Sequence, residues 1–139
     1  MGSGRGAVLS VRLPPPSFLL APTMVGMNEE CIFCRIVAGD LPAQVIHRED
    51  GLLAIMDIHP VADTHALVMP ERHIPDLRDL RPEDASLWLR LTQAAHKVAE
   101  DLGHPQGYRF YVSVGPGGGQ TVPHLHVHVM AGPMRRLPA

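Results

Sequence analysis

The chain has 139 residues and a mass of 15.1 kDa, which fits one domain. Apolar residues make up 45% and charged residues 19%, a globular balance that excludes a disordered chain. The net charge of −2 excludes a strongly basic duplex-binding protein, and no apolar run approaches the ~18 residues needed to span a bilayer.

Residues 1–26 carry Arg5 and Arg12 and then Pro14, Pro15 and Pro16. Three prolines interrupt the apolar stretch that a secretory leader needs. The segment reads as a weakly ordered extension ahead of a domain over 27–139. Met27 opens a natural-looking beginning, MNEECIFC, so the extension is a candidate for an upstream start-site artefact.

Residues 31–38 (CIFCRIVA) predict a short helix, stopped by the turn Gly39-Asp40-Leu41-Pro42. Strand-like runs follow at 44–48 and 52–58, separated by Glu49-Asp50-Gly51, and a third at 65–69 is bounded by Pro70. The clearest helix covers 82–102. Pro82 suits its first position, Glu83 and Asp84 complement the N-terminal dipole, and Gly103 suits the stop. Leu87, Leu91, Ala95, Val98 and Leu102 form one stripe at helical spacing, a face made to lie on a sheet. Two last strands, 108–114 and 124–130, flank the loop GPGGGQTVP. The order describes an α+β domain, with a mostly antiparallel five-stranded sheet, one long helix and one short one.

Cys31 and Cys34 are the whole thiol content. One Cys-x-x-Cys pair is too little for a secreted disulfide scaffold, and suits a redox pair or half of a metal site in a reducing compartment. A redox role is the weaker of these, because no βαβ pattern surrounds the pair.

The chain has nine histidines, and three of them alternate with apolar residues in His124-Leu125-His126-Val127-His128-Val129-Met130. On a strand, His124, His126 and His128 share one side while Leu125, Val127 and Val129 pack the other. A solvated polar face would more readily use Ser, Thr or Lys. A His-x-His pair can also chelate one ion, so a metal-dependent hydrolase with His124, His126 and His128 as ligands competes with a nucleophilic role. The preceding glycines, Gly117, Gly118 and Gly119, let backbone amides approach anionic oxygens, and Gln120 and Thr121 add an amide and a hydroxyl. Loop and histidines together suggest a phosphate pocket.

Residues 119–130 (GQTVPHLHVHVM) resemble the histidine triad signature, in which three histidines alternate with apolar residues. Residues 56–73 (MDIHPVADTHALVMPERH) look like the nucleotide-binding half of the same superfamily, and CIFCRI at 31–36 resembles the zinc-containing branch related to the HINT hydrolases. The resemblance covers roughly 31–130. It implies hydrolysis at the α-phosphorus of a purine nucleoside phosphoramidate or dinucleotide polyphosphate through a nucleotidyl-histidine. The nucleophile falls on His126, with His65 behind it. His128, Gly119, Gln120 and Thr121 would hold the phosphate, and Asp57 would accept the ribose hydroxyls. Ile32, Phe33, Ile36, Ile55 and Ile58 would line the base pocket, although ordinary core is an equal reading for each of them alone. Cys31, Cys34, His73 and His124 match the positions of a closed structural Zn2+ site, and unmetallated thiols are the competing reading. No organic cofactor, nucleic acid or membrane is implied. A cytoplasmic homodimer is.

Two positions depart from the family pattern. Ser113 stands where the family usually has Asn, which keeps open a nucleotide-binding or scaffold protein with negligible turnover. Pro123 lacks an N–H and predicts that the last strand begins at His124. The sequence also ends at Ala139 without an aromatic extension, so any selectivity that such a tail confers is not expected.

Overall fold

The computed structural model describes residues 28–136. The expected extension over 1–26 lies outside the described residues. The elements are α1 (Ile32–Val37), β1 (Val45–Glu49), β2 (Leu52–Met56), β3 (Ala62–Pro70), α2 (Ala85–Asp101), β4 (Arg109–Tyr111) and β5 (Val127–Met134). The five strands form one sheet in the order β1-β2-β3-β5-β4, with every neighbouring pair antiparallel. The α+β class and the element order are as the sequence predicts.

Alternation along the strands divides the core into two layers. Leu52, Ala54, Ala66, Val68, Val127 and Val129 face α2 and meet its buried Leu91, Ala94, Ala95, Val98 and Ala99. The intervening Leu53, Ile55, Leu67 and Met69 face the other way and pack with Phe33, Cys34 and Val37 of α1. His65 and His128 occupy alternate positions of β3 and β5, on this second side, so the sheet itself carries them to the α1 layer. Leu67 of β3 lies opposite His128 in the β3–β5 register.

Several boundaries move. Pro82–Asp84 is a 3-10 turn, and the α-helix begins at Ala85, with Asp84 Oδ2 accepting the Arg81 N–H at 3.0 Å. The expected strand over 108–114 shortens to Arg109–Tyr111, since β4 is an edge that pairs with β5 alone. The last strand does not begin at His124. It begins at Val127 and runs to Met134, because the Leu125 N–H is bonded to the Ile74 carbonyl at 2.6 Å, outside the ladder. Among the described residues no helix is long and apolar enough to cross a membrane.

Candidate active site

His124, His126 and His128 are all buried. His126 Nδ1 lies 2.6 Å from the His124 carbonyl oxygen. A carbonyl only accepts, so Nδ1 carries the proton and Nε2 keeps its lone pair. Burial holds His126 below the ordinary 6.5, opposed by its bond to the His124 carbonyl and by the Asp57 charge. The ring is therefore neutral at pH 7, with a nucleophilic nitrogen of fixed identity.

A second proton position follows from a backbone amide. The Val61 N–H donates to His65 Nδ1 at 3.0 Å, so the His65 proton sits on Nε2. His65 Nε2 faces His128 Nδ1 at 2.8 Å and Asp57 Oδ2 at 3.2 Å. His128 Nδ1 must then accept, which places the His128 proton on Nε2 as a donor. Asp57 Oδ1 accepts the His59 N–H at 2.8 Å, which fixes the carboxylate beside this pair. Burial also lowers His65, with Asp57 opposing.

The four sequence-nominated metal ligands converge. Cys31 Sγ is 3.3 Å from His124 Nδ1, Cys34 Sγ is 3.5 Å from it, and Cys34 Sγ is 3.3 Å from His73 Nδ1. All four donor atoms lie within 4.8 Å of one another. Tetrahedral zinc with its usual bond lengths separates such donors by about 3.4–3.8 Å, so the cluster fits the ion. His124 Nε2–H donates to the Pro70 carbonyl at 2.7 Å, which leaves Nδ1 available on the sulfur side. Burial pushes the Cys34 thiol up to about 11 and His124 down to about 4. The cysteines sit where they do because α1 starts there: Cys31 is its N-cap and accepts the Cys34 N–H at 3.4 Å.

The triad histidines do not converge as three ligands of one ion. His124 belongs to the cysteine cluster, and His128 is grouped with Asp57 and His65. The latter three make a poor metal site, because His65 could ligate through Nε2 only by placing a proton on Nδ1, against the Val61 N–H.

The glycine-rich loop differs from an open amide nest. The Gly118 and Gln120 amides both bond to the Gly115 carbonyl, and the Gly119 amide bonds to Pro116. Gln120 is also internally engaged: Oε1 accepts the Gly115 N–H at 2.8 Å, and Nε2 donates to Pro75 and Val122. Thr121 takes no part in these bonds and is exposed. It lines a cavity of about 240 Å3 with Pro75, Asp76, Gly115, Pro116, Gln120 and Pro123. Ser113 is buried, and its Oγ has no hydrogen-bond partner among the described residues.

Of the nominated base-pocket residues, Phe33 packs edge-on against His126, with ring centroids 5.1 Å apart, and Ile55 is buried in the same layer. Ile36 is half-buried, whereas Ile32 and Ile58 are exposed, Ile58 at 81%. Sequence reasoning missed the contribution of Val61. The Val61 contribution is a backbone N–H and leaves no mark in the sequence.

Three buried histidines at alternate positions leading into the last strand of a five-stranded antiparallel sheet, beside a Cys/His cluster, define a histidine triad domain. A family model for the HIT domain matches residues 38–134, and the chain belongs to that family. It is 36% identical over 107 residues to the purine nucleoside phosphoramidase of Escherichia coli, covering 76% of this chain and 90% of that protein. It is 34% identical over 106 residues to protein HitA of Neisseria gonorrhoeae, covering 76% and 99%. Among solved structures, the HIT family hydrolase of Clostridium thermocellum matches with a TM-score of 0.74 and 37% identity, over 81% of this chain and 98% of that one. A Zn-bound histidine triad family protein from Mycobacterium smegmatis matches with a TM-score of 0.63 and 36% identity, over 74% and 75%.

Proposed function

We propose that the protein hydrolyses a purine nucleoside phosphoramidate or dinucleotide polyphosphate at the α-phosphorus, through a nucleotidyl adduct on His126. The observation that carries this reading is the His126–His124 bond, which leaves Nε2 as the free nucleophilic nitrogen. In the first step Nε2 bonds to phosphorus, and the P–N or P–O bond to the leaving group breaks. In the second, a water oxygen bonds to phosphorus, the P–Nε2 bond breaks, and the nucleoside monophosphate leaves with His126 regenerated. His128 Nε2–H, the Thr121 hydroxyl and the Ser113 hydroxyl supply donors for the phosphoryl oxygens as charge spreads over them, while Gly119, its amide bonded to Pro116, lets the loop turn beside them. Gln120 contributes by bracing this loop. Asp57 and Ile58 take the ribose side, and Ile32, Phe33, Ile36 and Ile55 the base.

Cys31, Cys34, His73 and His124 would hold Zn2+ as a closed structural site, where the ion supplies cross-linking and no activated water. The likeness to a Zn-bound relative and the fit of the cluster support this reading. A homodimer paired through α2 and the β4 edge, in the cytoplasm, completes the proposal by analogy with the family. AMP release from adenosine 5′-phosphoramidate, natural protein against His126→Ala, tests the chemistry. Turnover lost in a folded variant supports it, and equal turnover removes His126 as nucleophile. No turnover in either protein removes the phosphoramidate and leaves dinucleotide polyphosphates or the binding reading that Ser113 raises.

A further inference from the structure

Gly115 is buried and held from every direction. Its N–H donates to Gln120 Oε1 at 2.8 Å, and its carbonyl accepts the Gly118 and Gln120 amides at 3.0 and 3.1 Å. Its φ of +72° puts it in the left-handed region. The remaining side of its Cα is covered by Arg78: a Cβ at this position would lie 2.9 Å from Arg78 Nη2. Arg78 does not reach there freely. Asp76, itself buried, accepts Arg78 Nε–H at 3.1 Å, Nη2–H at 2.7 Å and the Arg78 backbone N–H at 2.8 Å. Gln120 Nε2 then returns to the Pro75 carbonyl at 2.8 Å, so the loop is bonded to the same short segment from which Arg78 covers Gly115.

We infer that Asp76, Arg78 and Gln120 are positioning residues, a clasp that fixes the 115–121 loop and so presents Thr121 at the proposed phosphate site. The inference rests on the nucleotidyl-His126 reading. A direct phosphate contact by Arg78 is the weaker assignment, because Asp76 and Asp79 surround the guanidinium with more negative charge than it carries. Only an amide at 120 serves the clasp, since it must accept from Gly115 while donating to two carbonyls.

The test compares Arg78→Met, Arg78→Lys, Asp76→Asn and Gln120→Glu with the natural protein, on adenosine 5′-phosphoramidate. The Arg78 side chain is 68% exposed, so its variants keep the fold. A loosened loop misplaces donors that matter most in the transition state. kcat should therefore fall about tenfold to a hundredfold, with KM within about threefold. Arg78→Lys should fail to rescue, because an ammonium cannot make the forked bond to Asp76. Full activity in Arg78→Lys, with a salt-dependent KM, would overturn the clasp in favour of direct phosphate binding. Unchanged kcat in Arg78→Met and Gln120→Glu overturns it outright, as does a loss of kcat that merely follows a loss of melting temperature. His126→Ala is measured alongside. If it matches the natural protein, the nucleophile assignment has failed and the inference falls with it; if only the clasp variants match, the inference alone has failed.

Discussion

His126 Nδ1 and the carbonyl oxygen of His124 stand 2.6 Å apart, and that bond decides which face of the imidazole can do chemistry. The same residue, His124, turns its ring toward Cys31 and Cys34. One residue thus fixes the His126 tautomer with its backbone and joins the Cys/His cluster with its side chain. Disturbing the cluster would therefore act on catalysis indirectly, through the position of that carbonyl.

If the proposed adduct forms on His126, replacing it by Ala should lower kcat/KM by about a thousandfold or more, since the covalent step is then lost. Circular dichroism should stay unchanged, and a phosphorus-labelled adduct seen in the natural protein should vanish.

Cys34→Ala should lower bound zinc from one ion per chain to near zero, and lower the melting temperature. Removing one ligand of a closed site forfeits folding energy. At a temperature where the variant stays folded, kcat should change far less than in His126→Ala. Metal analysis and single-temperature kinetics check both halves.

Acid should destabilise the fold through His65. Burial lowers its folded pKa below the unfolded 6.5, with Asp57 opposing. The neutral ring is the form that folding favours, so the stability is fully present above pH 6.5 and is lost as pH falls from there through the folded value. Asp57→Asn removes the opposing charge and should push the folded value lower still, extending the loss to lower pH. Urea denaturation at pH 7 and pH 5, in both proteins, gives the comparison.

Ile58→Ala should weaken nucleotide binding severalfold while leaving the melting temperature unchanged, because the side chain is 81% exposed. Calorimetric titration with AMP measures the first and thermal unfolding the second.

Leu91→Ala should cost about 2–5 kcal/mol, the usual penalty for emptying a buried leucine site. Leu91 is 0% exposed between α2 and the sheet. Chemical denaturation reads the loss, and a cost below about 1 kcal/mol would show that the core there collapses to refill the space.

The long helix was legible because its stripe repeats at helical spacing, and Leu91, Ala95 and Val98 are buried as that stripe requires. The two-sided sheet was legible from alternation, which placed Val127 and Val129 opposite the histidine side. The start of β5 was not. Pro123 signalled a break, but the bond from the Leu125 N–H to Ile74 that delays the strand comes from a partner 51 residues away. Gln120 was misread for a similar reason: its amide looked available for phosphate until Gly115, Pro75 and Val122 were seen to use it.

The sequence by itself determined which residue types were assembled: Cys31 and Cys34 one helical turn apart, and histidines at every second position from 124 to 128. Residue identity and short spacing are local, and local geometry follows from the chain alone. Tertiary structure decided where each proton sits. The Val61 amide sets His65, His65 sets His128, and the Pro70 carbonyl sets His124. The His128 and His124 assignments depend on the meeting of β3 with β5 and the segment that leads into it, and the His65 assignment on the turn of the backbone into β3; a backbone amide or carbonyl is the same in every residue that supplies one.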